Sequence, residues 1–276
     1  MTSKIAVIFD FDDTLAPDST SAFLQSLNVD VQDFWRQRVD ALIQKDWDPI
    51  PAYLFQMIEA SRNGAHGPIT RERLQKWGAQ VCFYAQAPTI FDRLRNLASK
   101  LNPDIQLHFY LISSGISDIL KNTPIAHHFT DIWACDFHYD QNEQIAFPKK
   151  VVSFTDKTRY IFQIAKGLVG DAFRNQPFAV NRKISPHSLR IPFDQMIFVG
   201  DGYTDIPCFS LVRKAGGIAI GVYDNDDREK WGRAWGFIED ERVSNLVPAD
   251  YSEKSALSNS LAMALESLVR RIAEKA

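Results

Sequence analysis

The chain lacks most of what would tie it to a disulfide scaffold, a membrane or a nucleic acid. Three cysteines occur in 276 residues, Cys82, Cys135 and Cys208. They are odd in number and far apart, so they read as buried thiols rather than as a disulfide frame or metal knuckle. No apolar run approaches the ~20 residues that a membrane helix needs. Neither sign of charge is in excess: 31 Lys and Arg against 34 Asp and Glu leave a net charge of -3. Such a balance gathers neither nucleic acid nor an anionic membrane, and neither partner is expected. The start, Met-Thr-Ser-Lys, runs directly into an apolar stretch with no room for a signal peptide, so a cytoplasmic protein is expected. Internal repeats and low-complexity tracts are missing as well. What is present is ordinary globular composition, 45% hydrophobic and 24% charged, enough for a sizeable core arranged as one large domain and a smaller one.

Against that background residues 5–15, Ile-Ala-Val-Ile-Phe-Asp-Phe-Asp-Asp-Thr-Leu, stand out. A β-branched apolar run suits a strand buried on both faces of a parallel sheet. It empties into Asp10, Asp12 and Asp13 at its carboxyl end, the edge where open α/β sheets bind ligands. In extended chain Asp10 and Asp12 point the same way while Phe11 turns into packing. Two converging carboxylates can divide labour near a divalent cation, one ionised and the other carrying a proton. An acidic turn capping a helix accounts for the stretch equally well.

Residues 16–86 have helical periodicity. Val31, Phe34, Trp35, Val39, Leu42 and Ile43 mark one amphipathic helix, broken at residues 47–51. Leu54, Phe55, Met57 and Ile58 begin another, and Thr70 is a candidate N-cap for a third. Pro88 opens a further helix. Residues 105–112 read as a second buried strand ending in Ser113, Ser114 and Gly115, where a following helix would leave amides ready for phosphate. An ordinary strand-to-helix turn has the same appearance. Residues 132–135 give a third strand and 137–146 a hairpin. Lys157 falls in the first turn of the next helix, where a cation meets the positive end of the dipole. Residues 170–192 form a polar, loop-rich insertion. A fourth strand at 195–199 ends in Gly200-Asp201-Gly202-Tyr203-Thr204-Asp205, a second acidic strand end. Strands at 217–222 and 245–248 and a helix carrying Leu257, Leu261, Leu265, Leu268 and Ile272 complete the chain.

Four strand ends or helix starts thus supply, in order, Asp10-Phe11-Asp12-Asp13-Thr14, Ser113, Lys157 and Gly200-Asp201 through Asp205. In this combination the sequence resembles the haloacid dehalogenase-like (HAD) superfamily of phosphohydrolases, over nearly its whole length. The resemblance implies a Rossmann-like α/β parallel sheet with flanking helices, residues 1–16 and 87–276. It also implies a helical C1 cap at residues 17–86, similar to that of phosphoserine phosphatase-like members. It further implies a phosphomonoesterase acting through an aspartyl-phosphate on a small phosphorylated metabolite. Asp10 would be the nucleophile and Asp12 the acid and base. Mg²⁺ would be held by Asp10, the Asp12 carbonyl and Asp201. Ser113, Ser114 and Lys157 would bind phosphate, with Thr14, Gly200 and Asp205 in support. Phosphoserine phosphatases carry a Glu shortly after the first motif that recognises the substrate amino group. Asp18 and Ser19 stand nearest here, which argues against phosphoserine. A phosphomutase of the same fold, or a catalytically idle binding or regulatory protein, stays open as an alternative.

Overall fold

The fold is organised about β1 (Lys4–Phe9), every residue of which is buried. A computed structural model describes residues 3–64, 66–225 and 228–275. After β1 the chain leaves the sheet for a helical insert: α1 (Ser19–Ser26), a π-helical stretch (Asp33–Val39) running into α2 (Asp40–Ile43), α3 (Pro49–Asn63) and α4 (Arg71–Gly78). It returns through α5 (Ile90–Leu101) to β2 (Gln106–Ile116), α6 (Ser117–Leu120), β3 (Phe129–Tyr139), β4 (Ile145–Lys150) and α7 (Phe154–Lys166). Short turns cross residues 167–195. The second half follows with β5 (Met196–Gly200), α8 (Ile206–Lys214), β6 (Ile218–Tyr223), α9 (Arg228–Glu239), β7 (Asn245–Pro248) and α10 (Ala256–Lys275).

The sheet order is β4-β3-β2-β1-β5-β6-β7, parallel except for the β3–β4 hairpin. Phe9 of β1 pairs with Leu111 on one side and Val199 on the other. The chain therefore builds outward from β1 in both directions, and the crevice where the order reverses lies at the carboxyl ends of β1, β2 and β5. In the core Phe91 packs edge to face on both Phe9 and Phe109, with centroids 5.8 and 5.1 Å apart.

The insert is helical, but its windings differ from those its periodicity predicts. A separate helix, α1, begins at Ser19, because the Asp18 carboxylate accepts hydrogen bonds from the amides of Thr20 and Ser21. The expected single helix over residues 31–43 is π-wound in its first half, which buries Phe34 and Val39, five residues apart, on one side. Pro49 and Pro51 open α3 rather than merely ending what precedes, as the fixed φ of proline allows in a first turn. Thr70 caps α4 as expected, accepting from the Arg73 amide at 3.3 Å. Helix α9 had no expectation attached to it. The reading of three buried thiols is corrected at Cys82, which is exposed in the turn after α4, while Cys135 and Cys208 are buried. No helix among the described residues is long and apolar enough to cross a membrane.

Candidate active site

Three strand ends and one helix start converge. The Asp10 amide still donates to Val199 across the sheet at 2.9 Å, which fixes the backbone just where the side chain turns into the crevice. Its Oδ1 accepts from the Phe11 amide at 2.7 Å and its Oδ2 from Lys157 Nζ at 2.7 Å. Lys157 also donates to Asp205 Oδ1 at 2.7 Å and is fully buried. Its misplaced charge in the first turn of α7 is thereby explained. It is the counter-ion of two buried carboxylates, and it touches them rather than facing the crevice. Burial alone would lower its pKa, but Asp10 and Asp205 hold it well above the ordinary lysine range.

Carboxylate oxygens of Asp10, Asp201 and Asp205 lie within 4.8 Å of one another. Thr14, fully buried, donates its hydroxyl to Asp201 at 3.2 Å. Burial, followed by Asp205 and Asp10, pushes Asp201 well above the usual carboxylate range. Burial and Asp10 likewise raise Asp205, to about 7. A single ammonium among three crowded carboxylates leaves negative charge in excess. An all-oxygen donor set of this kind fits a hard divalent cation such as Mg²⁺.

Asp12 sits apart from that cluster, on the crevice side. Its Oδ1 accepts from the Ser19 amide at 2.7 Å, and burial followed by the nearby Asp18 raises its pKa well above the carboxylate range. A carboxyl that holds its proton on the open side of the crevice is suited to give that proton to a leaving group.

Ser113 and Ser114 lie inside β2 rather than beyond it. The ladder with β3 loses register between Ile112 and Ile116, and this bulge carries Ser113, Ser114 and Gly115 out of the pairing and into the crevice. Ser113 Oγ accepts from the Gly115 amide at 2.9 Å, whereas the buried Ser114 Oγ has no hydrogen-bond partner among the described residues.

Two glycines are required by close approach. A Cβ on Gly200 would stand 2.5 Å from Asp205 Oδ2, and one on Gly115 2.6 Å from Asp12 Oδ2. Gly200 belongs to the acidic motif at the end of β5, whereas nothing in one sequence distinguishes Gly115 from a turn glycine.

Asp10, Asp12 and Asp201 line a crevice of about 420 Å³ whose far wall is the insert, with Trp35, Ile50 and Tyr53 lining it. Tyr53 is buried and donates its hydroxyl to the Ser114 carbonyl at 2.6 Å, tying α3 to the bulge. Sequence reasoning missed it, because its spacing from Ile50, Leu54 and Met57 is that of any core-facing helical residue.

No family model matches the sequence. A protein of Borreliella burgdorferi described only as uncharacterized is 26% identical over 281 residues, covering 92% of this chain and 94% of that one. Among solved structures the chain is similar to a HAD family hydrolase from Salmonella enterica serovar Typhi, with TM-score 0.59, 11% identity and 88% of this chain covered. The alignment takes in 66% of that hydrolase, just under two thirds of its length. It is also similar to an apo phosphoserine phosphatase (TM-score 0.59, 14% identity, 94% of this chain and 98% of that one). A substrate-bound phosphoserine phosphatase gives TM-score 0.58 at 13% identity, over 95% and 99% of the two chains. What is shared at these identities is the fold. This chain has the Rossmann-like α/β fold of the HAD phosphatases, with a helical insert after the first strand.

Proposed function

We propose that the protein is a Mg²⁺-dependent phosphomonoester hydrolase that acts on a small phosphorylated metabolite through an aspartyl-phosphate at Asp10. The observation that carries this reading is the clamped Asp10 carboxylate, held by the Phe11 amide and Lys157 at the floor of the crevice, with Asp12 on the open side. Asp10 attacks phosphorus, and the leaving alkoxide takes a proton from Asp12. Asp12 then removes a proton from the water that attacks the acyl phosphate, releasing inorganic phosphate and restoring Asp10. Ser113 and the amides of the bulge orient the phosphoryl oxygens, and Lys157 fixes Asp10 and offsets its charge. The carboxylates of Asp10 and Asp201 and the carbonyl of Asp12 would hold Mg²⁺, with Asp205 bracing Lys157. When bound, the ion neutralises charge on the phosphoryl oxygens.

Residues 17–86 serve as the cap on this reading, and its two halves differ. The start of α4 is sewn to the β3–β4 hairpin, with the Ile145 amide on the Ile69 carbonyl at 3.0 Å and Arg71 on Glu143 at 2.6 Å. Near its end, Gln75 donates to Asp118 of α6 at 3.2 Å. On this reading the moving wall is α1 to α3, and opening must break the Tyr53–Ser114 bond, the Arg62 bond to the Ala146 carbonyl at 3.5 Å and the Trp77 bond to the Ser19 carbonyl at 3.1 Å. Hydrolysis of p-nitrophenyl phosphate tests the function: turnover should require Mg²⁺ and stop with EDTA. No turnover of this ester or of a phosphometabolite panel would leave a binding protein.

A further inference from the structure

The polar insertion at residues 170–192 and the sheet edge against which it folds take no part in the crevice. There a separate cavity of about 80 Å³ lies between the end of β4, the outer side of α7 and the loop after Gly170. Three cations line it, one from each of these elements: Lys150, Arg159 and Arg174. Trp133 and Tyr160, stacked with centroids 5.1 Å apart, contribute its aromatic wall. Arg159 lies 4.8 Å and Lys150 Nζ 5.7 Å from the centre of the Tyr160 ring.

Two of the three cations have carboxylate partners: Arg174 pairs with Asp131 and lies 3.6 Å from Asp171, and Arg159 lies near Asp156, which leaves Lys150 and one nitrogen of Arg159 unanswered. Asp131 is the one carboxylate among the described lining residues. It is already engaged, accepting from the Gly170 amide at 2.7 Å, from the Ile132 amide at 2.8 Å and from Arg174. The nearby Asp136 pairs with Lys149 at 3.4 Å. Arg159 donates to the Tyr160 hydroxyl at 2.7 Å and lies 3.7 Å from Asp156, yet its buried Nε has no hydrogen-bond partner among the described residues. Lys150, half-buried, pairs through its backbone with β3 and faces the Tyr160 ring, but its ammonium has no hydrogen-bond or ion-pair partner among the described residues.

We propose that this cavity is a binding site for a phosphate-type oxyanion, distinct from the Asp10 crevice, with Lys150, Arg159 and Arg174 as its donors. An anion there answers the Lys150 ammonium and the orphaned Arg159 Nε together, and charge-assisted bonds of this type are the strong ones. Burial first, then Arg174, Lys121 and Arg159, press the Lys150 pKa down to about 8 against the opposite pull of Asp136, as expected for an ammonium in a pocket shared with other cations. The size admits a small oxyanion and little else. The insertion thereby acquires a role, since through the Asp131 clamp it holds Arg174 in the cavity wall.

Calorimetric titration with inorganic phosphate at constant ionic strength tests this, with EDTA present so that the acid-lined crevice repels anions. One phosphate should bind per chain. Lys150→Met should weaken binding by about tenfold or more, the worth of one charge-assisted hydrogen bond, and Lys150→Arg should restore most of it. Arg159→Gln is a second, independent variant and should weaken binding likewise, whereas Lys183→Met should not. Absence of phosphate binding in the wild type, or equal binding by the wild type, Lys150→Met and Arg159→Gln, would overturn the proposal.

Discussion

Two lysines seven residues apart, Lys150 and Lys157, show how differently one residue type is used in this molecule. Lys157 is wholly enclosed and bonds two carboxylates, each at 2.7 Å. Lys150 lines a cavity shared with two arginines. Burial acts on both in the same direction, and the neighbours decide the outcome. Asp10 and Asp205 raise the first, while Arg174, Lys121 and Arg159 lower the second. The near-neutral net charge of -3 therefore conceals an acidic pole at the ends of β1 and β5 and a basic one at the β4 edge.

Lys157→Met breaks the acidic pole and should have the largest effect. Removing one partner of a buried ion pair strands the other charges, at a cost of about 3–5 kcal/mol. Urea unfolding of the metal-free protein would show it, and a loss below about 1 kcal/mol would mean that Asp10 and Asp205 do not depend on Lys157. Gly200→Ala acts more narrowly, since its Cβ must displace Asp205. The Mg²⁺ concentration needed for half-maximal turnover should rise by about 10–100-fold, as for other residues that orient metal ligands. An unchanged requirement would mean that Asp205, by bracing Lys157, does not help to hold Asp10 in place for the ion.

The crowding also sets a pH dependence. Asp12, Asp201 and Asp205 have folded pKa values above the ~3.9 of an unfolded Asp. In that window the folded state binds more protons than the unfolded one, so stability is highest at the acid end and declines as pH rises towards about 7. In EDTA the melting temperature should fall between about pH 5 and 7.5, and Mg²⁺ should flatten the decline. A metal-free protein that gains stability over this range would contradict the crowding.

The smallest effect belongs to the basic pole. Lys150→Met removes an unpaired, half-buried charge and should stabilise the phosphate-free protein by about 0.5 kcal/mol. Because the folded pKa of Lys150 lies below its unfolded value, the wild type binds fewer protons folded than unfolded above about pH 8, and its deficit against the variant should narrow as pH rises. A variant less stable than wild type would mean that Lys150 has a structural partner.

Much of the acidic pole was legible in sequence because it is local. Asp10, Asp12 and Thr14 follow one strand, Asp201 and Asp205 another, and buried parallel strands announce themselves as apolar runs. Lys157 was visible as a cation at the wrong end of a helix. Long-range contact was not legible. Gly115 matters because Asp12 passes within 2.6 Å of where its Cβ would be, and Tyr53 because it reaches Ser114 across 61 positions. The basic pole is assembled from β4, α7 and an irregular loop, which share no spacing a sequence can display. The π-winding of Asp33–Val39 was missed for a related reason: apolar residues at mixed spacings satisfy an α-helical period well enough to hide an altered turn.

The most direct test of the central claim is to trap the acyl phosphate. Wild-type protein mixed with Mg²⁺ and p-nitrophenyl phosphate, quenched in acid and reduced with borohydride, should yield a peptide with homoserine at position 10 by mass spectrometry. Asp12→Asn, impaired in activating water, should accumulate more of it, and Asp10→Asn should give none. Brisk Mg²⁺-dependent turnover without homoserine at position 10, or turnover persisting in Asp10→Asn, would contradict the account.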